Sequence, residues 1–119
     1  PGGGVAPRHL LASGDAATLA AGKVAPLTMV LHELATNAVK YGAWSNPEGR
    51  VAVTWERSAS GDALCFTWQE FGGPQVTAKP SRGYGFGLIE GLVGQELGGR
   101  AELDYAATGL VCRLQIPHG

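Results

Sequence analysis

The stretch Met29-Val-Leu-His-Glu-Leu-Ala-Thr-Asn-Ala-Val-Lys-Tyr-Gly-Ala43 decides how the rest of the chain is read. Leu27, Val30, Leu31, Leu34, Ala38 and Tyr41 recur at helical spacing and form an apolar face. Pro26 falls in the first turn of a helix beginning near Lys23, where its missing N–H costs nothing. Gly42 supplies a C-terminal stop. On the other side, Glu33, Asn37 and Lys40 share one row and His32, Thr36 and Lys40 the next. A solvated helix face is usually built from Glu, Lys and Arg. His, Thr and Asn are mediocre helix formers, so their presence has a cost and suggests a task. A carboxylate, an amide oxygen and an ammonium in line suit a proton, a hard cation and a phosphate. The stripe places Asn37 on the exposed side of its helix.

Outward from this helix the periods change. Residues 8–12 read as a short strand, "SGD" as a turn and "ATLA" (17–20) as a second short strand. "WSNPEGR" (44–50) is a loop. "VAVTWER" (51–57) and "ALCFTWQE" (63–70) alternate and predict an antiparallel hairpin around "SASGD". "FGGPQVTAKPSRGYG" (71–85) has no period and is long for so small a domain, which points to function. "FGLIEGLVGQEL" (86–97) returns to helical spacing, and "GGRAELDYA" with "LVCRLQIP" forms a last hairpin around "ATG". Strand, helix, hairpin, loop, helix, hairpin is the order of an α+β two-layer sandwich, a mixed and mostly antiparallel sheet packed on helices.

With 119 residues the chain is read as one domain, 1–119, with a flexible glycine-rich start at 1–6. A formal net charge of −1 argues against nucleic acid or an anionic membrane as partner. No apolar run reaches the roughly 20 residues of a membrane span, and no signal peptide is visible. Cys65 and Cys112 each sit in an alternating apolar run, as buried reduced thiols do, and lack the ligand spacing of a metal pair. A cytoplasmic setting is the simplest inference.

Two further elements join the polar stripe. Gly83, Gly85 and Gly87 run into the second predicted helix, where backbone N–H groups attract phosphate and glycines let it approach. They form neither a P-loop nor a dinucleotide fingerprint. "TWQEFGGP" ends a strand in a carboxylate followed by Gly72 and Gly73, and such an acid can accept a hydrogen bond from an adenine amino group.

In this order the three elements resemble the ATP-binding catalytic domain of bacterial sensor histidine kinases, within the wider GHKL group that includes gyrase and MutL. More narrowly, the chain looks like the HWE subfamily, named for a His in the first box and a Trp-x-Glu in the second. "LHELATNAVKYGA" is similar to the N box with His32, "TWQEFGGP" to the Trp-x-Glu element with Trp68 and Glu70, and "RGYGFGLIEGLVGQELGG" to the glycine box. The resemblance runs from Leu10 to Pro117 and implies a Bergerat-type ATP-binding fold. It implies ATP and Mg²⁺ as cofactors, with Asn37 as the metal ligand, Lys40 on phosphate, and Glu33 polarising the acceptor imidazole. His32 would contact phosphate or order the N box. Glu70 would stand where most of the family has an adenine-binding Asp, Gly72 and Gly73 beside the base, and Gly83, Gly85, Gly87 and Leu88 at the phosphates. Residues 71–84 would be a short ATP lid.

The sequence departs from the pattern near the last hairpin, where "TGLVCRL" puts a further Thr contact to adenine in doubt, and in lacking an aromatic lid motif. The phosphoryl acceptor in this family is a histidine on a separate two-helix dimerisation domain, which this sequence does not contain; a response regulator is the indirect partner. Competing readings are a degenerate copy of the fold that scaffolds phosphotransfer, and a serine kinase of the anti-sigma type. The first would be expected to lose Asn37 or the glycines, and Trp68-x-Glu70 argues against the second.

Overall fold

The structure, a computed structural model, describes residues 9–14, 20–73, 86–106 and 109–117. The elements are β1 (His9–Gly14), α1 (Ala21–Lys40), a 3-10 turn (Ala43–Ser45), β2 (Arg50–Arg57) and β3 (Ala63–Phe71), followed by α2 (Phe86–Gly91), which continues as a π-helical turn (Leu92–Glu96), then β4 (Arg100–Ala106) and β5 (Gly109–Pro117). The expected strand over 17–20 lies outside the described residues except for Ala20, which precedes α1.

The five strands form one sheet in the order β1-β2-β3-β5-β4. β1 is parallel to β2, and every other pair is antiparallel. A parallel neighbour needs a crossover connection, and α1 supplies it between β1 and β2. This is the α+β sandwich with a mixed, mostly antiparallel sheet that the element order predicts. Both helices cover the same face. Leu27, Val30, Leu34 and Ala38 of α1, together with Ile89, Val93 and Leu97 of the second helical segment, meet Val51, Val53, Trp68, Leu110, Cys112, Leu114 and Ile116 of the sheet. Alternation decides which side chains go in: Leu114 and Ile116 are buried while Arg113 and Gln115 between and before them are exposed. Removing this apolar surface from water is the main force holding the two layers together.

Three local readings are corrected. α1 begins at Ala21, so Pro26 sits in its second turn and deletes a helical hydrogen bond there; the Lys23 ammonium, donating to the Pro117 carbonyl, ties this end of α1 to the end of β5. Tyr41 lies beyond the last helical residue and is 44% exposed instead of joining the core. The second helix is not α-helical throughout: Leu97 N–H bonds to the Leu92 carbonyl at 3.0 Å, five residues back. Gly91 and Gly94, poor helix formers, flank and occupy that widened turn. It still leaves Ile89, Val93 and Leu97 fully buried.

The two cysteines are free. Cys112 faces the core, and burial with the nearby Glu70 carboxylate pushes its thiol pKa up to about 12. Cys65 is only half-buried, because its position in β3 turns it to the sheet face that no helix among the described residues covers.

Candidate functional site

α1 carries its polar stripe at graded depth. Asn37 is buried at 7% exposure, Glu33 and Thr36 are half-buried, and His32 and Lys40 are exposed. The expectation that Asn37 lies on the exposed side is therefore wrong. It stands seven residues after Val30, nearly two full helical turns, so it sits almost directly above that core residue, about 20° off in projection. The helix thus lowers one carboxamide to the edge of the core and steps outward through a carboxylate to an ammonium. Thr36 spends its hydroxyl locally, donating to the His32 carbonyl at 2.9 Å.

The C-terminal end of α1 leads straight to Glu70. Tyr41 N–H and Gly42 N–H donate to the Asn37 carbonyl at 2.8 and 3.1 Å, and the chain then turns into the 3-10 segment. This turn falls at the start of what the sequence presents as a loop. Ala43 N–H, the next donor, reaches Glu70 Oε1 at 3.0 Å. Trp68 Nε1–H donates to Glu70 Oε2 at 2.9 Å. Strand geometry explains the second bond, since residues two apart on β3 point to the same face. The Trp44 ring meets the Trp68 ring edge-on, with centroids 5.8 Å apart. Ala43, Trp44, Trp68 and Glu70 thereby close a circuit between the end of α1 and the end of β3.

Glu70 is 4% exposed. Burial raises its pKa above the ordinary 4.5, against the opposing pull of the Ala43 and Trp68 donors. Close backbone approach is what makes room for it. A Cβ on Gly42 would lie 2.2 Å from Glu70 Oε1, and one on Gly73 would lie 2.7 Å from the Ala43 Cα. Gly42 has φ −109°, so it ends the helix by leaving space for the carboxylate and not by adopting a left-handed conformation. Gly72 follows β3 with φ +73°.

Of the remaining candidates, Gly87 lies in the first turn of α2 with open space where a side chain would be, and Leu88 beside it is half exposed. Gly83, Gly85, most of the 71–84 segment and Thr108 lie outside the described residues. Among the described residues no three His, Cys, Asp or Glu side chains converge on a possible metal position. The donor set of α1 fits a hard cation that takes few protein oxygens and keeps other ligands of its own: a buried amide beside a half-buried carboxylate. The arrangement can also accept hydrogen bonds at Glu70 beyond the two it has, since an ionised carboxylate offers about four lone-pair sites.

Sequence reasoning singles out Trp68 and Glu70 but misses their mutual bond and the part of Ala43. The alternation of β3 signals that the two side chains share a face. Nothing in the sequence signals that a backbone N–H from residue 43 returns to meet them.

No protein-family model matches the chain. Among curated proteins, it is 44% identical over 108 residues to blue-light-activated histidine kinase 1 of Erythrobacter litoralis, covering 88% of this chain and 29% of that protein. The fold is similar to that of the solved Erythrobacter litoralis EL346 blue-light activated histidine kinase, with a TM-score of 0.77 at 18% identity over 92% of this chain and 35% of the other. It is also similar to the catalytic domain of histidine kinase ThkA, with a TM-score of 0.71 at 17% identity over 92% of this chain and 79% of that one. The chain thus spans less than a third of the length of the Erythrobacter litoralis curated relative.

Proposed function

Since the chain belongs to the histidine kinases as an ATP-binding domain of the HWE type, we propose that it binds ATP with Mg²⁺ and presents the γ-phosphoryl group to a histidine on a separate dimerisation domain. The observation that carries this reading is the circuit at Glu70, a buried, oriented carboxylate at the foot of the helix that bears Asn37. Glu70 accepts from the adenine amino group, and the Gly72–Gly73 backbone runs beside the base. Asn37 and Lys40 lie on the phosphate side. Mg²⁺, when bound, neutralises charge on the phosphate oxygens, with Asn37 as its protein ligand. Gly83, Gly85, Gly87 and Leu88 belong to the glycine box that approaches the phosphates from the side of α2.

Glu33 accepts a hydrogen bond from one nitrogen of the acceptor imidazole, so that the other nitrogen attacks phosphorus as the bond to the ADP oxygen breaks. His32, exposed at the outer margin of the stripe, faces the phosphates or the partner domain. A response regulator is the downstream partner. No helix among the described residues is long and apolar enough to cross a membrane, and the cytoplasm, where ATP is plentiful, is the compartment this function needs.

Titration calorimetry of the 119-residue chain with ATP tests the reading. Binding that strengthens on adding Mg²⁺ is expected. Absence of any heat at millimolar ATP and Mg²⁺ would overturn it.

A further inference from the structure

We propose that Trp68 is a positioning residue for nucleotide recognition: its indole N–H, together with the Ala43 N–H, locks the Glu70 carboxylate into the one orientation that reads the base. This deepens the nucleotide-binding reading above and rests on it. The grounds are geometric. Trp68 Nε1 holds Oε2 at 2.9 Å and Ala43 N holds Oε1 at 3.0 Å, so both carboxylate oxygens are pinned and the group cannot swing about its last bond without breaking both contacts. Trp68 is itself fixed, 5% exposed and braced edge-on by Trp44. Gly42 closes the remaining space, since even a methyl group there would meet Oε1.

An oriented carboxylate discriminates between purines. Adenine offers an amino donor at its six-position, whereas guanine offers a carbonyl acceptor, which a carboxylate oxygen repels. Both donors keep Glu70 an acceptor, because each already gives its hydrogen to the carboxylate. Without the indole N–H, Oε2 is left buried with one fewer donor, the Ala43 bond alone orients Glu70, and the carboxyl takes up a proton more readily. A protonated Glu70 donates as well as accepts, and the distinction between the bases weakens. Trp68 on this account touches no nucleotide and acts only through Glu70.

The test is Trp68→Phe, which keeps an aromatic ring and removes the N–H. ADP and GDP affinities are measured on the 119-residue chain by competition against a fluorescent ATP analogue, alongside the melting temperature. Leu64→Ala is the comparison: it thins the same strand at a buried position remote from Glu70 along β3. Trp68→Phe is expected to weaken ADP about tenfold, the scale of one hydrogen bond to a charged group, while GDP changes little, so the ADP to GDP preference collapses. Leu64→Ala is expected to lower the melting temperature and keep the preference. If Trp68→Phe keeps the wild-type preference, whether both affinities stand or both fall together, Trp68 is a packing residue and the inference fails. A wild-type chain that binds neither nucleotide overturns the nucleotide-binding reading itself, a result separate from the first.

Discussion

Replacing Gly42 by Ala adds one methyl group directly against the Glu70 carboxylate. That carbon would sit 2.2 Å from Glu70 Oε1 and 3.2 Å from the Ala38 Cα. The Ala38 backbone belongs to α1 and cannot retreat, so the carboxylate must move. Because Gly42 has a negative φ, the penalty is steric and not one of backbone conformation. Overpacking of this kind costs about 1–3 kcal/mol. Losing the Ala43 bond to an ionised, buried carboxylate adds about 1.5–3 kcal/mol. The sum, roughly 2.5–6 kcal/mol, is a large share of the 5–15 kcal/mol by which a domain is stable. At about 4 °C per kcal/mol for a chain of this size, the melting temperature should fall by roughly 10–24 °C. Thermal unfolding followed by circular dichroism reads this directly. Gly22→Ala is the control: a Cβ there meets nothing, in the first turn of α1, and should leave stability unchanged or raise it by about 0.4–1 kcal/mol. A Gly42→Ala protein that melts with the wild type would refute the claim that Glu70 is packed against the chain end of α1.

Asn37→Ala should remove the enhancement of ATP affinity by Mg²⁺; the ratio of affinities with and without the metal is the readout, and it is insensitive to any loss of stability at this buried position. Glu33→Gln should slow phosphoryl transfer to a dimerisation domain supplied in trans by about 10²–10⁴-fold and leave ATP affinity unchanged, which a filter assay with labelled ATP resolves. Glu70 carries a pKa raised in the folded state, so the folded chain holds that proton more tightly than the unfolded one. Its stabilising contribution is complete below 4.5 and is lost as pH rises through the folded value. Glu70→Gln, which cannot ionise, should therefore gain stability relative to wild type as pH rises above 4.5, read as the difference in urea midpoint.

The elements were legible because the sequence repeats its periods cleanly. Leu114 and Ile116 against Arg113 and Gln115, or Val30, Leu34 and Ala38 on α1, leave little choice of structure or facing. The depth of Asn37 follows from the helical wheel, on which it falls beside Val30, and not from the polarity of its amide. Tyr41 has the helical angle of a core residue but lies past the end of its helix. The parallel pairing of β1 with β2 depends on contacts between segments some forty residues apart, which no local period encodes. The same holds for the bond from Ala43 to Glu70, since it joins a backbone atom to a side chain 27 residues away.

The Trp68–Glu70 bond also constrains how this chain can change length. Both side chains point inward only because one residue separates them on a pleated strand. Inserting or deleting a single residue between them would send one to the solvent face, and two insertions would restore the facing but carry the indole a full pleat repeat away from the carboxylate. The partner segment has no such period. Ala43 lies in a turn between a helix and a strand, where added residues can loop out before Arg50 without moving its N–H. Length variation in related chains should accordingly collect on the 44–49 side of the circuit and be absent between Trp68 and Glu70.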